Sequence, residues 1–348
     1  MNLPISIPFS PMEAKIAIQI PTGPEWQYEP KWDGFRCLAF RSGKEVELQS
    51  KAGQPLTRYF PEIVAALGQV RAKTFVLDGE LIVPVDGRLS FDDLLQRIHP
   101  ASSRVRILSD KHPARFVIFD LLVDENGKSW IAQPLEKRRK ALEAFHSKYF
   151  VHDKSVELSR ATRDRAVAQR WLQDMRGQLD GIVSKRTGQP YLPGERAMLK
   201  VKTIRSADCV VGGFRYASAA KIVGSLLLGL YDAGGLLHHV GFTSSLSAVE
   251  RKALTPKLER LVAPPGFTGK APGGLSRWST NRSAEWEPLR AKLVVEVAYD
   301  HFTGSRFRHG TRLVRWRPDK PPRRCLMSQV EFESTVPFGS LFENEVPA

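Results

Sequence analysis

The segment EPKWDGFR sets a lysine, Lys31, two positions before an Asp-Gly pair and follows the pair with Arg36. A lysine attacks a substrate only as the neutral amine, and its ordinary pKa of roughly 10.4 keeps it protonated at neutral pH. Burial or neighbouring cations can lower that pKa and so provide a nucleophile. Taken alone, the segment is better explained by a surface lysine before a turn. The other charged segments must decide between the two interpretations.

Three further segments carry residue types that would suit phosphate chemistry. DGEL and DGIVSK each put a carboxylate, Glu80 or Asp180, at the turn end of a strand-like run. FDLL places an aromatic ring, Phe119, beside an acid in an apolar run. Carboxylate oxygens are the ligands that Mg²⁺ prefers, and an aromatic ring can stack on a base. Each piece alone also has a purely structural explanation, such as a turn or a solvated acid.

The segment LKVK contains two lysines, Lys200 and Lys202, that alternate with apolar residues. Alternation directs both side chains to one face of a strand. Two like charges on one strand face are unfavourable unless an anion lies between them. The pattern therefore favours an anion at this strand, although an exposed lysine pair would have the same spacing.

The elements that must position these residues are short strands and helices. The runs 75–83 and 115–123 are too short and too β-rich for helices, and they predict buried strands. The segment RWLQDMRGQLDGIVSKR predicts a helix, a turn and a strand that carries Asp180. Apolar residues follow helical spacing at Phe60 to Leu67, Phe91 to Ile98, Val167 to Met175 and Ala248 to Leu261.

After a predicted hinge at Thr203 to Ala207, short strand candidates alternate with Gly-rich turns. They are CVVGGFR, GSLLLGLYD, LLHHVGFTS, KLVVEVAYD and GTRLVRWRP. Five strands with a single helix are typical of a small Greek-key barrel of the oligonucleotide-binding kind. We therefore predict an α+β chain with two domains, residues 1–204 and residues 205–348. The N-terminal domain should contain antiparallel sheets with flanking helices.

Composition limits the class of protein. The chain has 348 residues, of which 42% are hydrophobic, enough for two globular domains. No apolar run approaches the roughly 18 residues of a membrane helix, and the N-terminus does not resemble a signal peptide. Three widely spaced cysteines predict neither a disulfide framework nor a zinc site. A cytoplasmic protein without membrane contact is the expectation.

The net charge points to a polyanionic partner. Lysines and arginines number 52 against 37 acids, a net charge of +15. Between residues 304 and 324 there are seven arginines and one lysine but a single acid. A folded segment this basic favours phosphate contacts, and nucleic acid is the commonest polyanion. The alternative, a basic protein without such a partner, stays open on charge alone.

Taken together and in this order, the segments resemble a known superfamily. EPKWDGFR, SKAG, FVLDGEL, FVIFDLL, LDGIVSKR and LKVK are similar to the six motifs of the covalent nucleotidyltransferases, which include DNA ligases, RNA ligases and mRNA capping enzymes. RHGTRLVRWRPDKPPRRC resembles the last motif of ATP-dependent DNA ligases. The resemblance extends over about residues 10 to 330. It is closest to the short bacterial ATP-dependent DNA ligases, which combine an adenylation domain with an OB-fold β-barrel.

The resemblance implies a three-step reaction. Lys31 attacks the α-phosphate of ATP, pyrophosphate leaves, and AMP stays on the lysine as a phosphoramidate. AMP then passes to the 5′-phosphate at a nick in duplex DNA, and the 3′-hydroxyl displaces it to seal the strand. ATP and Mg²⁺, or Mn²⁺, are the implied cofactors. The implied setting is DNA repair by a monomer in the bacterial cytoplasm, associated with the nucleoid and with repair proteins as candidate partners.

The resemblance also implies roles for individual residues. Glu29 would lie beside the adenine and Phe119 would stack on it, while Arg36 and Lys51 would contact ribose or phosphates. Glu80 would hold ribose or metal, and Asp180 would be the main metal-side carboxylate. Lys200 and Lys202 would bind phosphates and lower the pKa of Lys31. The residues that would orient pyrophosphate from the second domain are Arg315, Arg317, Asp319 and Lys320.

Three positions depart from the family pattern, and two rival functions remain. Asp180 stands where Glu is usual, Lys51 where Arg is usual, and Met198 where Trp is common. Aspartate is one methylene shorter than glutamate, which favours a metal contact through water, and lysine lacks the bidentate geometry of arginine. An RNA ligase or capping enzyme would share the first step. A non-catalytic nucleic-acid-binding protein on the same scaffold would share only the fold.

Overall fold

The computed structural model describes residues 1–174, 179–217, 220–273, 285–331, 339 and 342 of the chain. The chain forms two compact units, Met1–Thr203 with Ser334–Ala348, and Ile204–Glu333. The first unit boundary lies one residue from the predicted division after residue 204. The predicted C-terminal domain extends to residue 348, and most of residues 334–348 lie outside the described residues. Among the described residues, no helix is long and apolar enough to cross a membrane.

The first unit is built from two sheets with helices around them. Its strands are β1 (Ala14–Ile16), β2 (Trp26–Trp32), β3 (Phe35–Ser42), β4 (Glu45–Ser50), β5 (Thr74–Ile82), β6 (Pro84–Val85), β7 (Arg88–Leu89), β8 (Arg115–Val123), β9 (Val156–Leu158), β10 (Leu179–Arg186) and β11 (Met198–Lys202). Its helices are α1 (Pro61–Gln69), α2 (Phe91–Gln96), α3 (Ser102–Lys111), α4 (Leu135–Tyr149) and α5 (Arg165–Asp174), with a 3-10 turn at Thr57–Tyr59.

The two large sheets of this unit meet at the segment that follows β2. One sheet has the order β1-β11-β10-β2 and the other has the order β4-β3-β5-β8-β9. They are antiparallel apart from the β1–β11 and β8–β9 pairs. The chain leaves the first sheet at Trp32 and enters the second at Phe35. Gly34 lies so close to β5 that a Cβ there would collide with the backbone oxygen of Leu81.

The first unit confirms most of the predicted elements and adds others. Strand β8 has the predicted bounds, and β5 and α1 lie within two residues of them. Helix α5 ends at Asp174, and the predicted helical position Met175 lies outside the described residues. Helices α3 and α4 were not predicted. The buried side of α4 includes Arg138, which forms an ion pair with Asp120 on β8, so the apolar periodicity is interrupted there.

The second unit is a small barrel. Its elements are β12 (Arg205–Ala217), β13 (Ala220–Tyr231), β14 (Leu237–Thr243), α6 (Ala248–Glu259), β15 (Glu287–Pro288), β16 (Val294–Tyr299), β17 (Phe302–Thr303), β18 (Arg306–Phe307) and β19 (Arg312–Trp316). The 3-10 turns Pro322–Arg324 and Met327–Gln329 follow.

The main strands of the barrel have the order β14-β13-β12-β16-β19. A parallel bridge between Thr243 and Thr311 joins the two ends of this order, and the Thr243 Oγ1 donates a 2.8 Å hydrogen bond to the carbonyl of Thr311. The sole long helix described in this unit, α6, begins at a capping box formed by Ser247 and Glu250. This is the five-stranded OB-fold arrangement that the sequence predicts.

An aromatic ring packs beside the segment that carries Lys31. The ring of Phe342 stacks on Trp32, the residue after Lys31, with centroids 5.2 Å apart and planes 9° apart. The three cysteines, Cys37, Cys209 and Cys325, are all buried and free. The stacked ring places Phe342 beside Trp32 in the first unit.

Candidate active site

A cavity of about 520 Å³ lies in the first unit, and that volume suits a nucleotide-sized ligand. Strands from both large sheets contribute to its walls. The cavity brings together seven of the residues that the sequence identifies: Glu29, Lys31, Arg36, Lys51, Glu80, Phe119 and Lys200. Asp180 is joined to this group through an ion pair with Lys31, and Lys202 is joined to it through an ion pair with Asp180.

Lys31 lies in a row of residues across three neighbouring strands. It is opposite Gly181 on β10, and Gly181 is opposite Lys202 on β11. The Lys31 ammonium forms an ion pair with the Asp180 carboxylate, and the Lys202 Nζ lies 3.4 Å from the other Asp180 oxygen. The side chain of Asp180 is buried, whereas about a quarter of Lys31 is exposed. Asp180 therefore holds the amine group of Lys31 close to the cavity.

Four lysines gather at this wall, and we call Lys31, Lys51, Lys200 and Lys202 the lysine cluster. Burial lowers the pKa of Lys200, and the charges of Lys31, Lys202 and Lys51 lower it further. Lys51, on the turn after β4, forms a 2.9 Å ion pair with Glu13. A group of cations that destabilise one another is the arrangement expected where an anion binds.

Glu80 faces the same charges from strand β5, opposite Arg36 on β3. Burial raises its pKa to about 7, although the charges of Lys31 and Arg36 act in the opposite direction. The neighbouring carboxylates of Asp33 and Asp78 add to the rise. Nearby cations therefore offset only part of the free-energy cost of ionising Glu80 in its buried position.

Arg36 has a fixed orientation over an aromatic ring. Its Nε and Nη2 donate hydrogen bonds of 2.5 and 2.6 Å to the two oxygens of Asp78, which is fully buried. Its guanidinium carbon lies 4.6 Å from the centroid of the Phe119 ring. A bidentate pair of this kind fixes both the position and the plane of the guanidinium.

A second ion pair, which is buried, also lies against the Phe119 ring. The Lys185 Nζ is 2.7 Å from the Glu29 carboxylate and 4.7 Å from the Phe119 centroid. Gln27 donates a 2.8 Å hydrogen bond to the other oxygen of Glu29. Glu29, which is predicted to lie beside the adenine, has a buried carboxylate engaged with Lys185.

The four tail residues lie in the second unit, on β19 and the turn after it. Arg317 donates hydrogen bonds to Asp208 and to Asp319, and the Lys320 Nζ lies 3.2 Å from Asp208. The hydrogen bond from Arg317 lowers the pKa of Asp319 to about 2. Arg315 forms a 2.7 Å ion pair with Glu296. Asp208 thereby brings Arg317 and Lys320 together.

Sequence reasoning assigned no role to three charged residues that pair with predicted site residues. Lys185, Asp78 and Asp208 each hold a predicted residue through an ion pair. The sequence contained a signal for each of these three residues. All three are charged residues in strand-like segments that also carry apolar residues, GIVSK, FVLDG and ADCVV. A charge in such a position requires a buried partner.

Two protein-family models match most of the chain. The ATP dependent DNA ligase domain matches residues 11–202, and the ATP dependent DNA ligase C terminal region matches residues 219–320. These ranges correspond closely to the two compact units. The predicted nucleotidyltransferase and OB-fold architecture is confirmed.

Individual relatives agree with the family models. The chain is 43% identical to DNA ligase C of Mycobacterium tuberculosis, over 97% of each chain. It is also 43% identical to DNA ligase C2 of Mycolicibacterium smegmatis, over 95% of this chain and 96% of the relative. A solved structure from a study of Lig E DNA ligases shares the fold, with a TM-score of 0.53 at 15% identity over 88% of this chain and 99% of the other. The chain belongs to the ATP-dependent DNA ligases, enzymes that use ATP to seal nicks in DNA.

Proposed function

We propose that Lys31 is the nucleophile of this ligase. Its Nζ forms a bond to the α-phosphorus of ATP, the bond from that phosphorus to the pyrophosphate oxygen breaks, and the amine loses its proton. The observation that carries this proposal is the lysine cluster at a nucleotide-sized cavity, in which Asp180 pairs with both Lys31 and Lys202. The cluster supplies positive charge for the phosphates, and Asp180 orients the amine.

The remaining cavity residues support a division between a base end and a phosphate end. Phe119 offers an aromatic face, and the buried pair of Glu29 and Lys185 offers an acceptor and a donor beside that face. We assign these three residues to the adenine. Arg36 and Lys51 both line the cavity and would contact ribose or phosphates.

The carboxylates fit the Mg²⁺ or Mn²⁺ that the family implies. Among the described residues no cluster of three or more His, Cys, Asp or Glu could hold a metal by itself. Mg²⁺ bound to ATP needs only one or two carboxylates in addition to phosphate oxygens. Glu80 and Asp180 would hold the ion. The pKa of Glu80, about 7, reflects the fact that nearby cations offset only part of the cost of burying its charge. When bound, the ion would neutralise phosphate charge.

In the later steps, AMP would pass from Lys31 to the 5′-phosphate at the nick, and the 3′-hydroxyl would displace it. Arg315, Arg317, Asp319 and Lys320 would orient pyrophosphate in the first step. The two units must then approach each other during that step and separate before DNA enters. We further propose that the protein acts as a monomer in the bacterial cytoplasm, with repair proteins as its partners.

The test of Lys31 is a labelling experiment. The protein is mixed with ATP labelled at the α-phosphate and with Mg²⁺, denatured, and examined for covalently bound label. Wild type should retain labelled AMP, and Lys31→Ala should retain none, because the other lysines of the cluster are assigned to phosphate charge and not to attack on the α-phosphorus.

The matched control is Lys15→Ala, which removes an exposed lysine from β1 of the same sheet and should label like wild type. Undiminished labelling of Lys31→Ala would show that another residue carries the nucleotide.

A further inference from the structure

The hydroxyl of Tyr191 lies at a junction between two walls of the nucleotide cavity. Tyr191 is 2% exposed and lies in the segment between β10 and β11. Its hydroxyl donates a 2.6 Å hydrogen bond to the Asp78 Oδ2 and accepts a 3.0 Å hydrogen bond from the backbone N–H of Met12. One oxygen atom therefore satisfies a buried carboxylate and a buried backbone donor.

On one side, the hydroxyl controls Arg36 through Asp78. The same Asp78 oxygen that accepts from Tyr191 also accepts from the Arg36 Nη2, and the other oxygen accepts from the Arg36 Nε. The three groups form a chain from hydroxyl to carboxylate to guanidinium. In a buried setting, each member of such a chain restricts the orientation of the next.

On the other side, the hydroxyl fixes the N-terminal wall of the cavity. Met12 and its neighbours at positions 11, 13 and 14 line the cavity. The segment around Tyr191 holds this wall at further points, because the Leu192 N–H contacts the Met12 Sδ at 3.2 Å and the Tyr191 ring stacks on Phe9. The hydroxyl thus joins the wall at Met12 to Asp78, and the Arg36 Nη2 also donates a 3.3 Å hydrogen bond to the Met12 carbonyl, so the three residues form one connected group.

We propose that Tyr191 is a positioning residue for ATP: its hydroxyl sets the placement of Arg36 relative to the wall at Met12. This inference rests on the proposed function, which assigns Arg36 to the nucleotide. Without the hydroxyl, the Met12 N–H would lose its acceptor and Asp78 would lose a donor. Asp78 and Arg36 would keep their bidentate pair but would shift together relative to Met12, and ATP binding would bear the cost of ordering that pair.

The alternative is a tyrosine that only stabilises the fold, and two substitutions separate the alternatives. Tyr191→Phe removes one oxygen and keeps the ring, which also packs over the buried guanidinium of Arg138. The matched control is Tyr28→Phe. Tyr28 is 1% exposed in the same unit, and its hydroxyl donates a 2.8 Å hydrogen bond to the Pro21 carbonyl.

The measurement is the Kd for ATP with Mg²⁺, by calorimetry, in a Lys31→Ala background that prevents covalent transfer. Both tyrosine substitutions should lower Tm by similar amounts, since each removes one buried hydroxyl. Tyr191→Phe should weaken ATP binding about tenfold, the effect of losing a hydrogen bond to a charged group. Tyr28→Phe should leave the Kd unchanged. Asp78→Asn, which weakens the same chain at its centre, should resemble Tyr191→Phe.

Arg36→Ala in the same background tests the role of Arg36 separately from the role of Tyr191. If Arg36→Ala binds ATP like its parent, the proposed role of Arg36 is wrong. If Arg36→Ala weakens binding but Tyr191→Phe does no more than Tyr28→Phe, the inference about Tyr191 is overturned. In the double variant, Tyr191→Phe should add no further loss to Arg36→Ala, because Tyr191 acts through Arg36.

Discussion

Glu80 shows how a single side chain in the cavity couples the fold to pH. Its pKa rises from an ordinary value of 4.5 to about 7, chiefly through burial. Below about pH 4.5 the carboxyl is protonated in both the folded and unfolded chain. Between that pH and about 7 the unfolded chain ionises first, so the folded state loses stability as pH rises. Above about pH 7 the full penalty applies.

Replacement of Glu80 by glutamine should remove this penalty. Glu80→Gln should be more stable than wild type by about 2–3 kcal/mol at pH 8 and nearly equal to it at pH 4.5. Urea denaturation at both pH values measures the difference. Glu47→Gln, an exposed change on strand β4 of the same sheet, should have a small effect at both. A Glu80→Gln effect that does not change with pH would contradict the raised pKa.

At the residue scale, sequence reasoning located the charged groups but not their pairings. The segments that contain Lys31, Glu80 and Asp180 were identified by residue type and order. The ion pair of Lys31 with Asp180, and that of Glu29 with Lys185, depend on which strands become neighbours. Strand pairing joins residues about 150 positions apart here, and local spacing holds no information about it.

At the element scale, the contact between β10 and β11 requires a glycine. Gly181 has a φ of +145°, a conformation that residues with a Cβ rarely adopt. A Cβ at this position would also collide with the backbone oxygen of Val201 on β11. Asp180 and Lys202 lie on either side of this close approach, so the glycine determines their distance.

Gly181→Ala should therefore destabilise the first unit and displace Asp180 from the lysine cluster. We expect a loss of about 2–4 kcal/mol in the free energy of unfolding, and self-adenylation at least tenfold slower. Gly188→Ala is the matched control. A Cβ there meets nothing within 4 Å, and the change should leave both stability and adenylation near wild type. Normal adenylation by Gly181→Ala would show that the sheet tolerates a wider spacing.

The elements that local pattern predicted well are those with a continuous apolar run. Strand β8 is buried along nearly its whole length, and its bounds were predicted without error. Helix α4 was missed because Arg138 occupies one of its buried positions and the ion pair with Asp120 replaces apolar packing. Strand β12 extends to Arg205, beyond its apolar centre, because pairing with β16 continues into polar sequence.

At the scale of the whole molecule, the basic segment 304–324 should dominate the attraction to DNA. Arg306, Arg312 and Arg324 are exposed in this segment. Each contact with a DNA phosphate releases counterions, so binding weakens as salt increases. Changing the three arginines to alanine should weaken binding to a nicked duplex and reduce the slope of log K against log salt by about 1 for each lost contact.

A charge-matched control distinguishes this segment from net charge in general. Lys44, Lys73 and Lys140 are exposed in the first unit, and their replacement by alanine removes the same three charges. Fluorescence anisotropy with labelled nicked duplex at several salt concentrations gives both slopes. Equal changes in the two triple variants would mean that overall charge, rather than segment 304–324, attracts DNA.

The three buried cysteines open a direct route to a test of the proposed approach and separation of the two units. Burial raises the pKa of Cys325 to about 12 and those of Cys37 and Cys209 well above the ordinary thiol value. Thiol reagents attack accessible thiolates, so the native chain offers them little to react with. A cysteine introduced on the surface of each unit would therefore accept a fluorophore selectively, without prior removal of the native thiols. The distance between the units could then be followed by energy transfer as ATP is consumed and DNA is bound.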